Sequence, residues 1–95
     1  MEAKVKLLTL TVFVANPREP TELEAQAVAR SRAAAARFPG RVELSVLDLD
    51  SEEALLLGAV VSPTIVVGET ALAVGRVPMA GQIKRYLQAA LDGAI

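Results

Sequence analysis

The chain has no cysteine and no histidine among its 95 residues, and those two zeros exclude more chemistry than any other feature of the sequence. Without a thiol there is no disulfide, no dithiol exchange and no iron–sulfur ligation. Without an imidazole there is no histidine-activated nucleophile, and the usual zinc donors are missing. Tryptophan is absent too, and one tyrosine and two phenylalanines leave the core to be packed from Ala, Val and Leu. Neither sign of charge dominates: ten Lys and Arg against eleven Asp and Glu give a net charge of −1. The basic residues stand singly or in small pairs, so the clustered stripe that nucleic acid or an anionic membrane surface requires is missing. No apolar run approaches the roughly eighteen residues of a membrane span.

A carboxylate-only site for Mg²⁺ or Ca²⁺ survives these exclusions. Its best candidate, Asp48-Leu49-Asp50-Ser51-Glu52-Glu53, lacks the glycine and the ligand spacing of an EF-hand loop. No metal and no cofactor is therefore expected. What is present, 53% hydrophobic and 22% charged residues, is a globular composition of a size that forms one domain over residues 1–95.

At the N-terminus Lys4 and Lys6 precede an apolar stretch from Leu7 to Ala15, which superficially resembles a secretory signal. The rival reading is a central strand, because both alternating sets, Val5/Leu7/Phe13 and Leu8/Leu10/Val12/Val14, are largely apolar, as expected where both faces of a sheet are covered. Cleavage near Ala15 would remove the longest strand, so a cytoplasmic protein is expected.

Asn16-Pro17-Arg18-Glu19-Pro20 reads as loop. Thr21-Glu22-Leu23-Glu24 is a capping box, in which the Thr21 hydroxyl accepts from the Glu24 N–H and the Glu24 carboxylate reaches back to the Thr21 N–H. The helix it starts carries Leu23, Ala27, Ser31, Ala34 and Phe38 on one narrow face and stops at Pro39-Gly40. Val42, Leu44 and Val46 alternate along a second strand whose Glu43 and Ser45 predict a wetter face near an edge. Ser51 caps a short helix that Gly58 ends. A third strand is expected from Val60 to Val67, interrupted by Pro63. The turn Gly68-Glu69-Thr70 leads to a short fourth strand, Ala71 to Val74. Met79 to Leu91, with Ile83, Leu87, Ala90 and Leu91 on one stripe, closes the chain as an amphipathic helix.

The order β-α-β-α-β-β-α, with a right-handed crossover joining the first two strands in parallel, predicts an α/β sandwich: a mixed four-stranded sheet with helices on both faces. A ferredoxin-like plait needs only two helices, whereas three capped helical segments are legible. Pro63, with no N–H and a fixed φ, is tolerable only at the end of a strand. It could start an edge strand through a trans bond, or sit where a cis linkage is used, since X-Pro is the one place where cis is inexpensive.

Taken together, the strand ending Phe13-Val14-Ala15, the loop and capped helix, Asp48, Gly58, Val61-Ser62-Pro63-Thr64-Ile65, and Gly75-Arg76-Val77-Pro78 before Gly81-Gln82-Ile83 resemble the thioredoxin-like superfamily. The resemblance implies a three-layer sandwich with a cis Pro63 facing the first helix's N-terminus, and an extended partner segment pairing with the backbone of Ser62 by strand addition. It also implies Arg18 and Thr21 at the two positions where thioredoxins carry cysteine, so dithiol chemistry is lost and no enzyme activity is expected. The front half also resembles the KaiB circadian-clock family, through Val14-Ala15, Thr21, Phe38 to Asp48 and Ser62-Pro63-Thr64. That family's proline-rich stretch after the third strand is replaced here by a plain hairpin. The function expected from these readings is a redox-inactive module that binds a protein or peptide through Asn16, Arg18, Glu19, Thr21, Ser62, Pro63 and Thr64. A KaiB-type signalling adaptor and a glutathione-using transferase-like enzyme are the alternatives. The apolar strand from Ala71 to Val74 adds a homo-oligomer formed edge to edge.

Overall fold

The capping box at Thr21 closes in the computed structural model, which describes residues 7–93: the Glu24 amide donates to Thr21 Oγ1 at 3.1 Å and the Thr21 amide to Glu24 Oε1 at 2.8 Å. Two of the four amides that every helix start leaves without partners are thereby satisfied. Lys4 and Lys6, read above as preceding the apolar stretch, and Val5, read as part of the first strand, lie outside the described residues. Leu7 precedes that strand and is exposed.

The elements follow the expected order: β1 (Leu8–Val14), α1 (Glu22–Ala35), β2 (Val42–Asp48), α2 (Glu52–Leu57), β3 (Thr64–Val67), β4 (Thr70–Val74) and α3 (Ala80–Leu91). They build one sheet of order β2-β1-β3-β4. β1 runs parallel to β2 and antiparallel to β3, and β3 antiparallel to β4, so β1 and β3 are central and β2 and β4 are edges. The wetter face read from Glu43 and Ser45 belongs to one of those edges.

The period of two in β1 divides the core. Leu10, Val12 and Val14 face α1 and α3 in the larger cluster, with Ile65, Val67, Ala73, Ile83, Leu87 and Phe38. Phe13 turns to the opposite face and packs with Val66 against Ala54 of α2. Small residues let α1 lie close to the sheet: Ala27, Ser31 and Ala34 are buried at successive helical turns.

Three expectations are corrected. Leu23 is 45% exposed, and Glu24, beside it, is the buried residue of the first turn at 3%; the carboxylate is drawn inward by the donors it accepts from. The first helix ends at Ala35 rather than running to Pro39-Gly40, and Phe38 enters the core from a turn, its amide donating to the Ala35 carbonyl at 3.0 Å. The third strand begins at Thr64, not Val60. Val60 and Val61 stand before it as exposed residues at 81% and 41%, because Pro63 offers no N–H to a ladder.

Candidate functional site

The site grows from one carboxylate. Glu24 of α1 accepts from the Thr21 amide through Oε1 and from the Ala15 amide through Oε2, each at 2.8 Å, and the Ser62 hydroxyl donates to the same Oε2. Three segments far apart in sequence meet there: the end of β1, the start of α1 and the residue before Pro63. Burial raises the carboxyl's pKa, but the hydrogen bonds from Ser62, Ala15 and Thr21 favour the ionised form more strongly and hold it below its ordinary value.

The loop between β1 and α1 is a built turn. Asn16 Oδ1 accepts from the Arg18 amide at 3.0 Å, and the Asn16 carbonyl accepts from the Glu19 amide at 3.1 Å. An asparagine side chain that mimics the backbone in this way fixes the loop locally, so Asn16 acts on the loop's shape while Arg18 and Glu19 stand exposed at its tip. Thr21 uses its hydroxyl as the acceptor of the cap, taking the Glu24 amide at 3.1 Å, as its position in the capping box predicts.

On the other side of the site the Ser62–Pro63 peptide is cis. Pro63 and Thr64 are buried, and Thr64 donates to the Val61 carbonyl. Both shape the segment from within instead of presenting side chains to a partner. Ser62 is half-buried, and among the described residues neither its amide nor its carbonyl has a backbone partner. The structure thus brings Thr21 and Ser62 together through Glu24, places Asn16, Arg18 and Glu19 on the adjoining loop, and turns Pro63 and Thr64 inward.

Two features escape sequence reading. The capping box shows Glu24 reaching Thr21, yet nothing in the spacing shows it also reaching Ala15 and Ser62. The second feature is an apolar hollow of about 430 Å³ behind the loop, lined by Val14, Pro17, Pro20, Val28 and Val46, with Arg32 among its walls. It lies between α1 and the edge strand β2, where the prolines roof a gap that small helix residues leave open.

Asp48 and Asp50, the best metal candidates in the sequence, form a turn in which Asp48 Oδ1 accepts from the Asp50 amide at 2.8 Å. Among the described residues no cluster of three or more carboxylates is placed to hold a metal ion, and no helix is long and apolar enough to cross a membrane.

No protein-family model matches the sequence, and no curated protein matches it. Among solved structures, the chain is similar to chloroplastic thioredoxin z, whose crystal structure defines a type-specific target recognition. The TM-score is 0.70 and the identity 21%, over 92% of this chain and 80% of that one. The likeness is one of fold, and it identifies the β-α-β-α-β-β-α sandwich as a thioredoxin-like fold that carries no cysteine.

Proposed function

We propose that this chain is a redox-inactive thioredoxin-like module that binds an extended protein or peptide segment along Ser62 and the loop from Asn16 to Thr21. The observation that carries the reading is the Glu24 carboxylate, which ties the Ser62 side chain to the start of α1 while the Ser62 amide and carbonyl have no backbone partner among the described residues. A segment laid there gains backbone hydrogen bonds as an added strand would. Because the edge is already held in place, little conformational entropy is lost on binding. Arg18 and Glu19 at the loop tip supply charge selectivity, and the hollow behind Pro17 and Pro20 has room for an apolar side chain of the partner.

The dithiol step of a thioredoxin has no counterpart, since Arg18 and Thr21 carry no sulfur. The clock-adaptor and glutathione-using readings gain no specific observation from the structure. A slowly switching adaptor would show a second species by NMR over hours, and a glutathione site would show amide shifts near Pro63 on adding the tripeptide.

The test is an NMR titration with peptides selected for binding from a random-sequence library. The amides of residues 16–21 and 61–63 should shift. Arg18→Glu should change affinity by about tenfold, with a sign that follows the peptide's charge. Ser62→Ala should weaken binding with the circular dichroism unchanged. Selected peptides that shift only residues elsewhere, or bind the Ser62→Ala and Arg18→Glu chains as tightly as the parent, would refute the reading.

A further inference from the structure

We infer that the hollow between α1 and β2 is a binding site for a small linear carboxylate with an apolar tail, a medium-chain aliphatic acid whose tail lies along α1 and whose head meets Arg32. Two elements build its walls. Ala25, Val28, Ala29 and Arg32 recur at helical spacing and so form one stripe along α1. Val14 and Val46, on the sheet face that α1 covers, stand across from that stripe. The alanines leave the space between unfilled, and at about 430 Å³ it falls within the roughly 300–1,000 Å³ of small-ligand sites.

The hollow has two unlike ends. Ala25 and Arg32 are two helical turns apart, about 10 Å along the axis. The loop that leads into α1 brings Pro17 and Pro20 to the Ala25 end, where no polar side chain joins the lining. At the other end stands Arg32, which alone among the lining residues is charged. It is an exposed residue, placed to add its stem to the apolar wall and keep its guanidinium at the rim.

Charge decides the occupant. Arg30, on the opposite side of α1, donates to the Val77 carbonyl at 3.3 Å, whereas among the described residues Arg32 has neither a hydrogen bond nor an ion pair. The carboxylates of β2 are engaged elsewhere: Glu43 lies on the strand's other face and accepts from Thr9 Oγ1 at 3.1 Å, and Asp48 accepts from the Asp50 amide. A guanidinium pairs with a carboxylate through two parallel hydrogen bonds, and walls without polar groups require the rest of the ligand to be hydrocarbon. A straight tail spanning about 10 Å from Arg32 to the prolines has the length of octanoate. This inference goes beyond the segment proposed along Ser62. A ligand seated here takes the space offered above to that segment's apolar side chain, so the two exclude each other in the hollow.

An NMR titration of the full chain with octanoate tests this. The amides from Ala25 to Arg32 and that of Val46 should shift and saturate while that of Ser62 stays in place, so the result is separate from that of the peptide titration. Hexanoate, shorter by two methylenes, should bind about tenfold more weakly. Octanol, with the tail but no charge, should also bind about tenfold more weakly than octanoate. Arg32→Gln should abolish the difference between octanoate and octanol with circular dichroism unchanged. Ala29→Leu, at an exposed position, should fill the hollow and weaken both ligands about tenfold. Shifts that do not saturate or that centre on the exposed Leu55 and Leu56, equal binding of octanoate and octanol by the parent, an Arg32→Gln or Ala29→Leu chain that binds octanoate as tightly as the parent, or a hollow that takes peptides only would each overturn the inference.

Discussion

Replacing Glu24 with alanine removes the acceptor of three hydrogen bonds in one change, those from the Ala15 amide, the Thr21 amide and the Ser62 hydroxyl. Ala15 and Thr21 belong to exposed residues, so water can reach their freed amides and each loss costs about 0.5–1 kcal/mol. The Ser62 hydroxyl is half-buried and loses a charged acceptor, about 1.5 kcal/mol at the low end of the range for such bonds. A negative charge in the first turn of α1 adds about 0.3–1 kcal/mol through the helix dipole, against which alanine's better helix propensity returns a few tenths. The expected destabilisation is about 2–4 kcal/mol, a large share of the roughly 5–15 kcal/mol that holds a domain folded. For a chain of this size that lowers the midpoint of thermal unfolding by roughly 4–8 °C per kcal/mol.

Because the folded carboxyl's pKa lies below its ordinary value of 4.5, ionised Glu24 contributes its stability above the unfolded pKa. That contribution fades as pH falls through the folded pKa. Chemical denaturation of both chains across pH 3–7 therefore has a defined outcome: the gap between them is full at neutral pH and narrows in acid. A Glu24→Ala chain within about 0.5 kcal/mol of the parent, the scatter of ordinary surface changes, would refute the reasoning. So would a gap that does not change with pH.

Three further outcomes follow from named contacts. Ser62→Ala and Glu24→Ala share one hydrogen bond, so their effects on unfolding free energy should fall short of additive by about 0.5–3 kcal/mol in a double-mutant cycle, whereas distant pairs add. Ser31 is fully buried in α1 with no partner for its hydroxyl among the described residues. Ser31→Ala should therefore leave stability unchanged or raise it by about 1 kcal/mol, measured by denaturant midpoint, because a buried polar group without a partner carries a desolvation cost. Gly75 has φ +72°, and a Cβ there would stand 3.2 Å from Val61 Cγ1; Gly75→Ala should cost about 1–2 kcal/mol in a melt through backbone strain, and the amide spectrum around Val61 should shift.

The order of elements was legible in the sequence because each rests on local physics. Thr21 and Glu24 satisfy orphan amides at a helix start, Gly58 takes the left-handed conformation that ends α2, and the alternation in β1 requires two covered faces. The lack of cysteine settles by composition that this chain has no thiol of its own. Errors arose where local rules compete with contacts distant in sequence. Helical spacing places Leu23 on the buried face, but the donors of Ala15 and Ser62 draw Glu24 inward instead. β-branched runs on both sides of Pro63 predict one long strand, yet the missing N–H delays pairing until Thr64. Only the tertiary structure decided that Ser62, 38 positions from Glu24, shares its carboxylate, and that Pro17 and Pro20 roof a hollow between α1 and β2. Spacing along a chain carries period and cap, but it does not say which strands become neighbours. Both the tie at Glu24 and the hollow beside β2 follow from that neighbour order.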